Sequence, residues 1–351
     1  MKLDLHRHLE GCHSPDALLA VAARYGIRND VFFDTAAQRF RTPAELAPRM
    51  VVQGPSDDSS AFYSCIVAAR SAYVSVPAIA ALALAALHEA AGETDGFEMR
   101  FSLYSMARAL MSAQQVALSA VAPVTFAEQY ARPILLALLA ARDEAQVATA
   151  IPMLLRLGLS RTFESEPHYR ALAAMVVEHA DALVGLDVLG IVKPPDTEPL
   201  PDALVAILEQ LRRHLPDLTI HAGEFDGHAS VDRTLDRLAP RGIGHGVHAL
   251  ESPATLTRLA RDGVTLEVCP TSNRQLIPSR LAALARTTGG VEPLCALQRA
   301  HVHTVLGSDD PTPLGSTFAG ELAVARASGV DMALLAVDSQ RRWTEITGAP
   351  R

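Results

Sequence analysis

The chain has 351 residues, 49% of them hydrophobic and 20% charged, a composition that fits a globular protein with a large core and excludes a mainly disordered one. Its formal charge of −8 argues against a general binder of nucleic acid or of anionic membrane surfaces. The length allows two average domains or one α/β barrel. In chain order, a first strand is expected over 2–8. Glu10-Gly11 follows, and then a helix start at Ser14-Pro15-Asp16, where Ser14 suits an N-cap. The stretch 30–60, with Pro43, Pro48, Pro55 and Asp57-Asp58-Ser59-Ser60, reads as a helical insertion and loop after the first β/α unit, placed as a lid over a barrel mouth. Further β-type runs lie at 96–103, 150–155, 182–189, 218–221, 242–246, 263–269 and 302–307. Ala-, Leu- and Arg-rich helical stretches separate them at 76–91, 126–141, 168–179, 201–213, 229–238 and 254–261. Strand–helix alternation repeated about eight times predicts an α/β fold, one closed (β/α)8 TIM barrel over 1–351 with a helical insertion after strand one.

The longest apolar stretch, 74–87, contains Pro77 and falls short of the roughly 20 residues a membrane-spanning helix needs. No apolar leader precedes the first strand, so a cytoplasmic setting is expected. Cys12, Cys65, Cys269 and Cys295 form no CxxC pair and read as small buried thiols, neither a disulfide framework nor a zinc site.

The polar residues that break the apolar pattern stand at the C-terminal ends of predicted strands: His6-Arg7-His8, His221-Ala222-Gly223-Glu224, Gly244-His245-Gly246 and Ser308-Asp309-Asp310-Pro311. A barrel gathers those ends at one mouth. His6 and His8, two apart on a strand, share a face. With His221 and Asp309 they make three imidazoles and a carboxylate, a set suited to Zn2+ with one position left for water, whose pKa the metal lowers to roughly 7. Glu224 is placed to transfer a proton, and His245 and Asp310 to orient or deprotonate that water. His301-Val302-His303 is a second HxH, but it precedes Asp309 by a distance that puts it toward the barrel floor. It reads as structural.

The segments LHRHLEG (5–11), VGLDVLG (184–190), HAGE (221–224), GHG (244–246), LEVCPTSN (266–273) and SDDP (308–311) together resemble the adenosine deaminase family of the amidohydrolase superfamily, in family order and over essentially the whole chain. The resemblance implies one zinc ion per chain and hydrolytic removal of the 6-amino group of an adenine-type base. On the matching positions, Glu224 protonates the purine N1, His245 serves the water, Asp310 meets the N7 side and the Gly190 N–H reaches N3. Glu10 stands where family members acting on adenosine carry Asp, which is similar to the adenine and aminodeoxyfutalosine deaminase branches. Arg7, between the two histidines, either captures a substrate carboxylate or is a buried arginine paired with a carboxylate. Arg41, Arg100, Arg108 and Arg274 are rival anchors. Gly190-Ile191-Val192 replaces the family's Gly-Asp-Glu and alters that loop, while Gly244 and Gly246 read as giving substrate room to approach.

These features imply 6-aminodeoxyfutalosine as substrate, within menaquinone synthesis, with adenosine or adenine of purine salvage as the alternative. The partners expected are a small adenine-type molecule and water, without nucleic acid or membrane. A binuclear amidohydrolase needs a bridging lysine on strand four; only Lys2 and Lys193 are lysines, and Lys193 lies beyond that strand. The P-C-x-x-C motif that deaminases editing nucleic acid pair with H-x-E is missing. A non-catalytic binding module would have lost a ligand or Glu224, and none is lost.

Overall fold

The computed structural model describes residues 1–162, 165–192 and 196–348, so Lys193 lies outside the described residues. Its main sheet runs β1 (Leu3–His8), β2 (Gly96–Phe101), β3 (Met153–Ser160), β4 (Gly185–Leu189), β5 (Leu218–Ala222), β6 (Gly242–His245), β7 (Thr265–Val268) and β8 (His303–Leu306). Each strand pairs in parallel with the next, and helices fill the connections. The barrel is closed between its first and last strands by a parallel bridge from Arg7 to Asp309. There the His8 N–H donates to the Asp309 carbonyl and the Asp309 N–H to the His6 carbonyl, each at 2.8 Å. Gly307 permits this approach: a β-carbon on it would overlap the His6 β-carbon and stand 2.7 Å from the His6 carbonyl oxygen.

Each of the eight strands overlaps a segment the sequence marks, with boundaries shifted by up to five residues. The third runs Met153–Ser160, past the expected end at 155, because Arg156 interrupts the apolar run yet points into the barrel. Ser14 caps the helix Pro15–Tyr25 by accepting the Ala17 N–H, as the Ser-Pro-Asp start suggests. The stretch 30–60 contains a two-residue ladder, Phe33–Asp34 with Arg39–Phe40, and the helix Pro43–Met50. It is strapped across the mouth: the Val52 N–H donates to Pro313 O at 2.9 Å and the Ser56 N–H to Gln275 O at 2.8 Å. The four cysteines are free and buried, and no helix is long and apolar enough to cross a membrane among the described residues.

The apolar core lies between sheet and helices. Inside the barrel, charge takes its place. Glu98, Arg100, Arg156, Asp187, Asp217, Glu267 and Arg342 are all buried there. Arg156 forks onto Glu98 with two 2.7 Å bonds. Arg342, on the final helix Met332–Thr347, makes a bidentate pair with Asp217 at 2.7 and 2.8 Å and so pins that helix beneath the barrel. Burial alone would raise the Asp217 carboxyl, but Arg342 and Arg156 outweigh it and hold the group below the usual range.

Removing one member of such a network strands a buried charge. Asp217→Ala is expected to lower unfolding free energy by about 3–5 kcal/mol in a denaturant titration. A loss under about 1 kcal/mol would mean that the two arginines find other partners. Since the folded state depresses this carboxyl, its contribution is full above pH ~4 and fades as the pH falls below that.

Candidate active site and metal centre

His6 and His8 aim their Nε2 atoms to within 3.2 Å of each other at the C-terminal mouth. His221, near the end of β5, brings its Nε2 to 3.3 Å from that of His8. Asp309, just past β8, sets Oδ1 3.3 Å from His8 Nε2 and 3.7 Å from His6 Nε2. Four ligand atoms at roughly 2.0–2.1 Å from a tetrahedral zinc ion stand about 3.3 Å apart, so the donor set fits a divalent metal of that kind. The far side of two rings is braced. His6 Nδ1 lies 3.0 Å from Glu267 Oε2, and His221 Nδ1 3.1 Å from Asp187 Oδ1. In the tautomer that donates from Nδ1, each Nε2 lone pair is left for a metal. Arg100 ties both braces together, at 2.9 Å to Glu267 and 3.1 Å to Asp187. Burial, helped by the Arg100 charge, holds His6 far below the ordinary imidazole range, and burial takes His8 down to about 3. Both are therefore neutral, as ligands must be.

Beside this cluster stand Glu224, His245 and Asp310. Glu224 Oε2 is 3.4 Å from His245 Nε2, which is 3.7 Å from Asp309 Oδ2. Asn273 fixes the imidazole from behind, with its Oδ1 3.1 Å from His245 Nδ1. His245 and Asp309 both hold left-handed backbone, with φ of 60° and 61°. Such strain costs on the order of 1–3 kcal/mol per residue and collects at functional sites. Burial first, then the charges of Asp309, Glu198 and Asp310, push Glu224 well above the usual carboxyl range. Those surroundings favour the protonated form of the Glu224 carboxyl. Burial and the adjacent Asp309 raise Asp310 in the same way.

Glu224 is held by a device the sequence did not advertise. The buried carboxylate of Glu198 accepts the backbone N–H groups of Gly223, Glu224 and Phe225 at 2.7, 2.9 and 2.8 Å, and the Ser230 hydroxyl. Asp226 returns the favour, accepting the N–H groups of Thr197 and Glu198 at 3.0 and 2.9 Å. Two loops thus clasp each other through carboxylates. The only local hint was a pair of acidic residues in the loops that follow β4 and β5.

The mouth encloses a cavity lined by His8, His221, Glu224, His245, Asp309 and Asp310, together with Glu10, Gly190, Tyr63 and Arg70 and an apolar rim of Phe62, Ile66, Phe225 and Leu276. Gly190 enters with φ of 81° directly after β4. Glu10 is buried and accepts the Ser102 N–H at 3.1 Å. Arg7 is a correction. It lies outside the cavity, buried against Glu93 at 2.9 Å, Ser308 Oγ at 2.8 Å and Asp4 at 3.2 Å. A bulge between Asp4 and Arg7 sets these two on one side, in the layer between strand and helix. The guanidinium at the mouth belongs instead to Arg70, at the end of the helix Ser60–Arg70.

Gly244 also serves another purpose than expected. A β-carbon there would press at 3.0 Å on the rings of His221 and His6, so the glycine makes room for imidazoles rather than for substrate. His303 bonds Asp338 at 2.8 Å at the opposite end of its strand, in keeping with a structural role. Arg100 is likewise internal, and Arg41 pairs with Asp34.

Glu198→Gln places an amide NH2 against backbone donors. It is expected to lower stability by about 1–3 kcal/mol, read by thermal or denaturant unfolding. No change would show that the loop is held by other contacts.

The family model described as adenosine deaminase matches residues 1–337. An adenine deaminase of Chelativorans sp. (strain BNC1) is 43% identical over 108 residues, 31% of this chain and 31% of that protein, so the match spans about a third of the relative's length. The crystal structure of an adenine deaminase from Arthrobacter aurescens superposes with a TM-score of 0.72 at 20% identity, covering 97% of this chain and 92% of the other. A zinc-bound amidohydrolase from Burkhoderia ambifaria superposes with a TM-score of 0.69 at 17% identity, over 95% and 82%. With a single family model running through the first strand, the last strand and every mouth segment between them, this chain belongs to the adenosine deaminase family.

Proposed function

We propose that the protein is a zinc-dependent hydrolase that replaces the 6-amino group of an adenine-type ring with oxygen. The observation that carries this reading is a buried Glu224 beside a three-histidine, one-aspartate cluster on the same cavity. His6, His8, His221 and Asp309 would hold one zinc ion, which supplies Lewis acidity toward a water when bound. The zinc in the Burkhoderia neighbour and the names of the adenine deaminase relatives support the same reading.

The chain's own groups divide the remaining work. Glu224 donates its proton to ring N1 as oxygen adds at C6, so the electron pair of the C6–N1 double bond is taken up in the new N1–H bond. His245, next to Asp309 and Glu224, takes the proton that the water gives up. That proton then passes to the amino group, the C6–N bond breaks, and ammonia leaves as the C6 hydroxyl returns its remaining proton to the Glu224 carboxylate and becomes the carbonyl. Asp310, kept protonated, can donate to N7, and the Gly190 N–H faces N3. Phe62, Ile66, Phe225 and Leu276 keep bulk water from the ring, and the strapped stretch 30–60 serves as the cover over the mouth.

Adenine, adenosine and 6-aminodeoxyfutalosine share this ring. They differ in what must be received beyond it. A carboxylate anchor at Arg7 is ruled out by that residue's burial in the strand–helix layer. Any claim for 6-aminodeoxyfutalosine therefore rests on another cation.

The test is an ultraviolet assay of the metal-loaded protein on adenine, adenosine and 6-aminodeoxyfutalosine. Glu224→Gln is expected to cut kcat by at least about 10²–10⁴-fold with metal content unchanged. Full activity in that variant would defeat the assignment. Metal analysis is expected to find one zinc per chain, lost in His221→Ala. Retention of stoichiometric zinc by that variant would remove His221 from the ligand set.

A further inference from the structure

One buried carboxyl near the mouth takes no part in the proton transfers. Glu321 lies on the helix Phe318–Ala327 and is 1% exposed. Its Oε2 accepts the Thr271 N–H at 3.2 Å, and it pairs with no cation among the described residues. Burial pushes the group up to about 7, against the Thr271 hydrogen bonds and with Asp4 and Asp309 adding to the rise. Protonated or ionised, it offers Thr271 an acceptor oxygen.

Thr271 belongs to the helix Pro270–Leu276, which follows β7. Two hydrogen bonds reach the backbone of that helix from other elements among the described residues. The Ser56 N–H donates to Gln275 O in its last turn, and Glu321 accepts the Thr271 N–H in its first. Cys269, at the N-cap, supplies no side-chain cap, so Glu321 satisfies one of the N–H groups that a helix start leaves unpaired. Between these two ties stands Asn273, whose Oδ1 is 3.1 Å from His245 Nδ1. With Nδ1–H donating there, the His245 Nε2 lone pair faces Glu224 and Asp309.

The helix that carries Glu321 is itself tied to the first strand. Its Phe318 N–H donates to Glu93 Oε2 at 3.2 Å, and the same oxygen accepts Arg7 of β1 at 2.9 Å. Glu321 therefore reaches across from an element anchored on the strand that bears His6 and His8.

We propose that Glu321 is a positioning residue for the deamination: by holding the Thr271 N–H it fixes the first turn of the helix Pro270–Leu276 and, through Asn273, the imidazole that takes the proton of the water. The inference rests on the deaminase reading and adds to it a residue that touches neither substrate nor metal ligands. Misplacing a reacting group by about 1 Å costs on the order of 10²-fold in rate, so a loosened His245 shows in kcat.

Two substitutions separate reach from charge. Glu321→Asp keeps the carboxyl and withdraws it by one methylene. Glu321→Gln keeps the reach and an acceptor oxygen and removes the ionisable group. On zinc-loaded protein with adenine and adenosine, Glu321→Asp is expected to lower kcat at least about tenfold, with KM and zinc content little changed. Glu321→Gln is expected to stay near the wild-type kcat. In an Asn273→Ala background Glu321→Asp is expected to add no further loss, as for two residues acting as one unit. Full activity of Glu321→Asp, an equally deep loss in Glu321→Gln, or additive losses with Asn273→Ala overturns the proposal and leaves the deaminase standing. Nitrogen-15 NMR of the imidazoles reads the same tie without turnover. The His245 Nδ1–H signal, identified by its loss in His245→Gln, is expected to persist in Glu321→Gln and to shift or fade in Glu321→Asp. An unaltered signal in Glu321→Asp overturns the positioning role. Failure of the wild type to deaminate any 6-aminopurine defeats the deaminase reading, and that signal then still decides whether Glu321 positions His245.

Discussion

Everything at the mouth depends on the seam where the chain's first strand meets its last. Two backbone hydrogen bonds, from His8 to Asp309 and from Asp309 to His6, bring residues three hundred positions apart into one ladder. The seam tolerates no β-carbon at position 307 and holds Asp309 in left-handed backbone. Asp4 and Ser308 lock it from outside, the serine hydroxyl donating to the carboxylate at 2.5 Å. Two candidate ligands come from one side of this seam and a third from the other, so the metal centre and the closure of the barrel are the same structural event.

The barrel's charged interior follows from the demands of that centre. Neutral imidazoles need oriented acceptors behind them, and Glu267 and Asp187 provide these. Buried carboxylates in turn need cations, which Arg100 supplies to both at once. Arg156, Glu98, Asp217 and Arg342 continue the alternation of sign downward to the final helix. In a low-dielectric interior such a lattice is stable only when complete, because each group's desolvation is offset by its neighbours. The last helix is therefore joined to the site electrostatically, although it contributes no residue to the cavity.

Much of this was legible in the chain. Strands with apolar alternation and turn residues at their ends stood out, and so did the histidines and carboxylates clustered just past those ends. The errors had specific causes. Arg156 looked like the end of a strand because a charge in an apolar run ordinarily faces water, and here it faces a buried carboxylate. Arg7 had two open readings, since alternation gives its side but not its partners, and the bulge at Asp4 and Arg7 decided them. Glu198 carried only the weak hint of an acidic residue in a loop and Arg70 none: both are ordinary surface choices.

The sequence by itself determined the fold class and the chemical identity of the cluster, because periodicity and strand-end polarity are local properties that a barrel converts into proximity. Tertiary structure alone decided which guanidinium faces the cavity, which carboxylates brace which imidazoles, and how two loops hold the acid in place. Those relations are distances between residues far apart in the chain. They are set by register, by one bulge and by the completeness of a buried charge network, none of which leaves a periodic trace in the order of the amino acids.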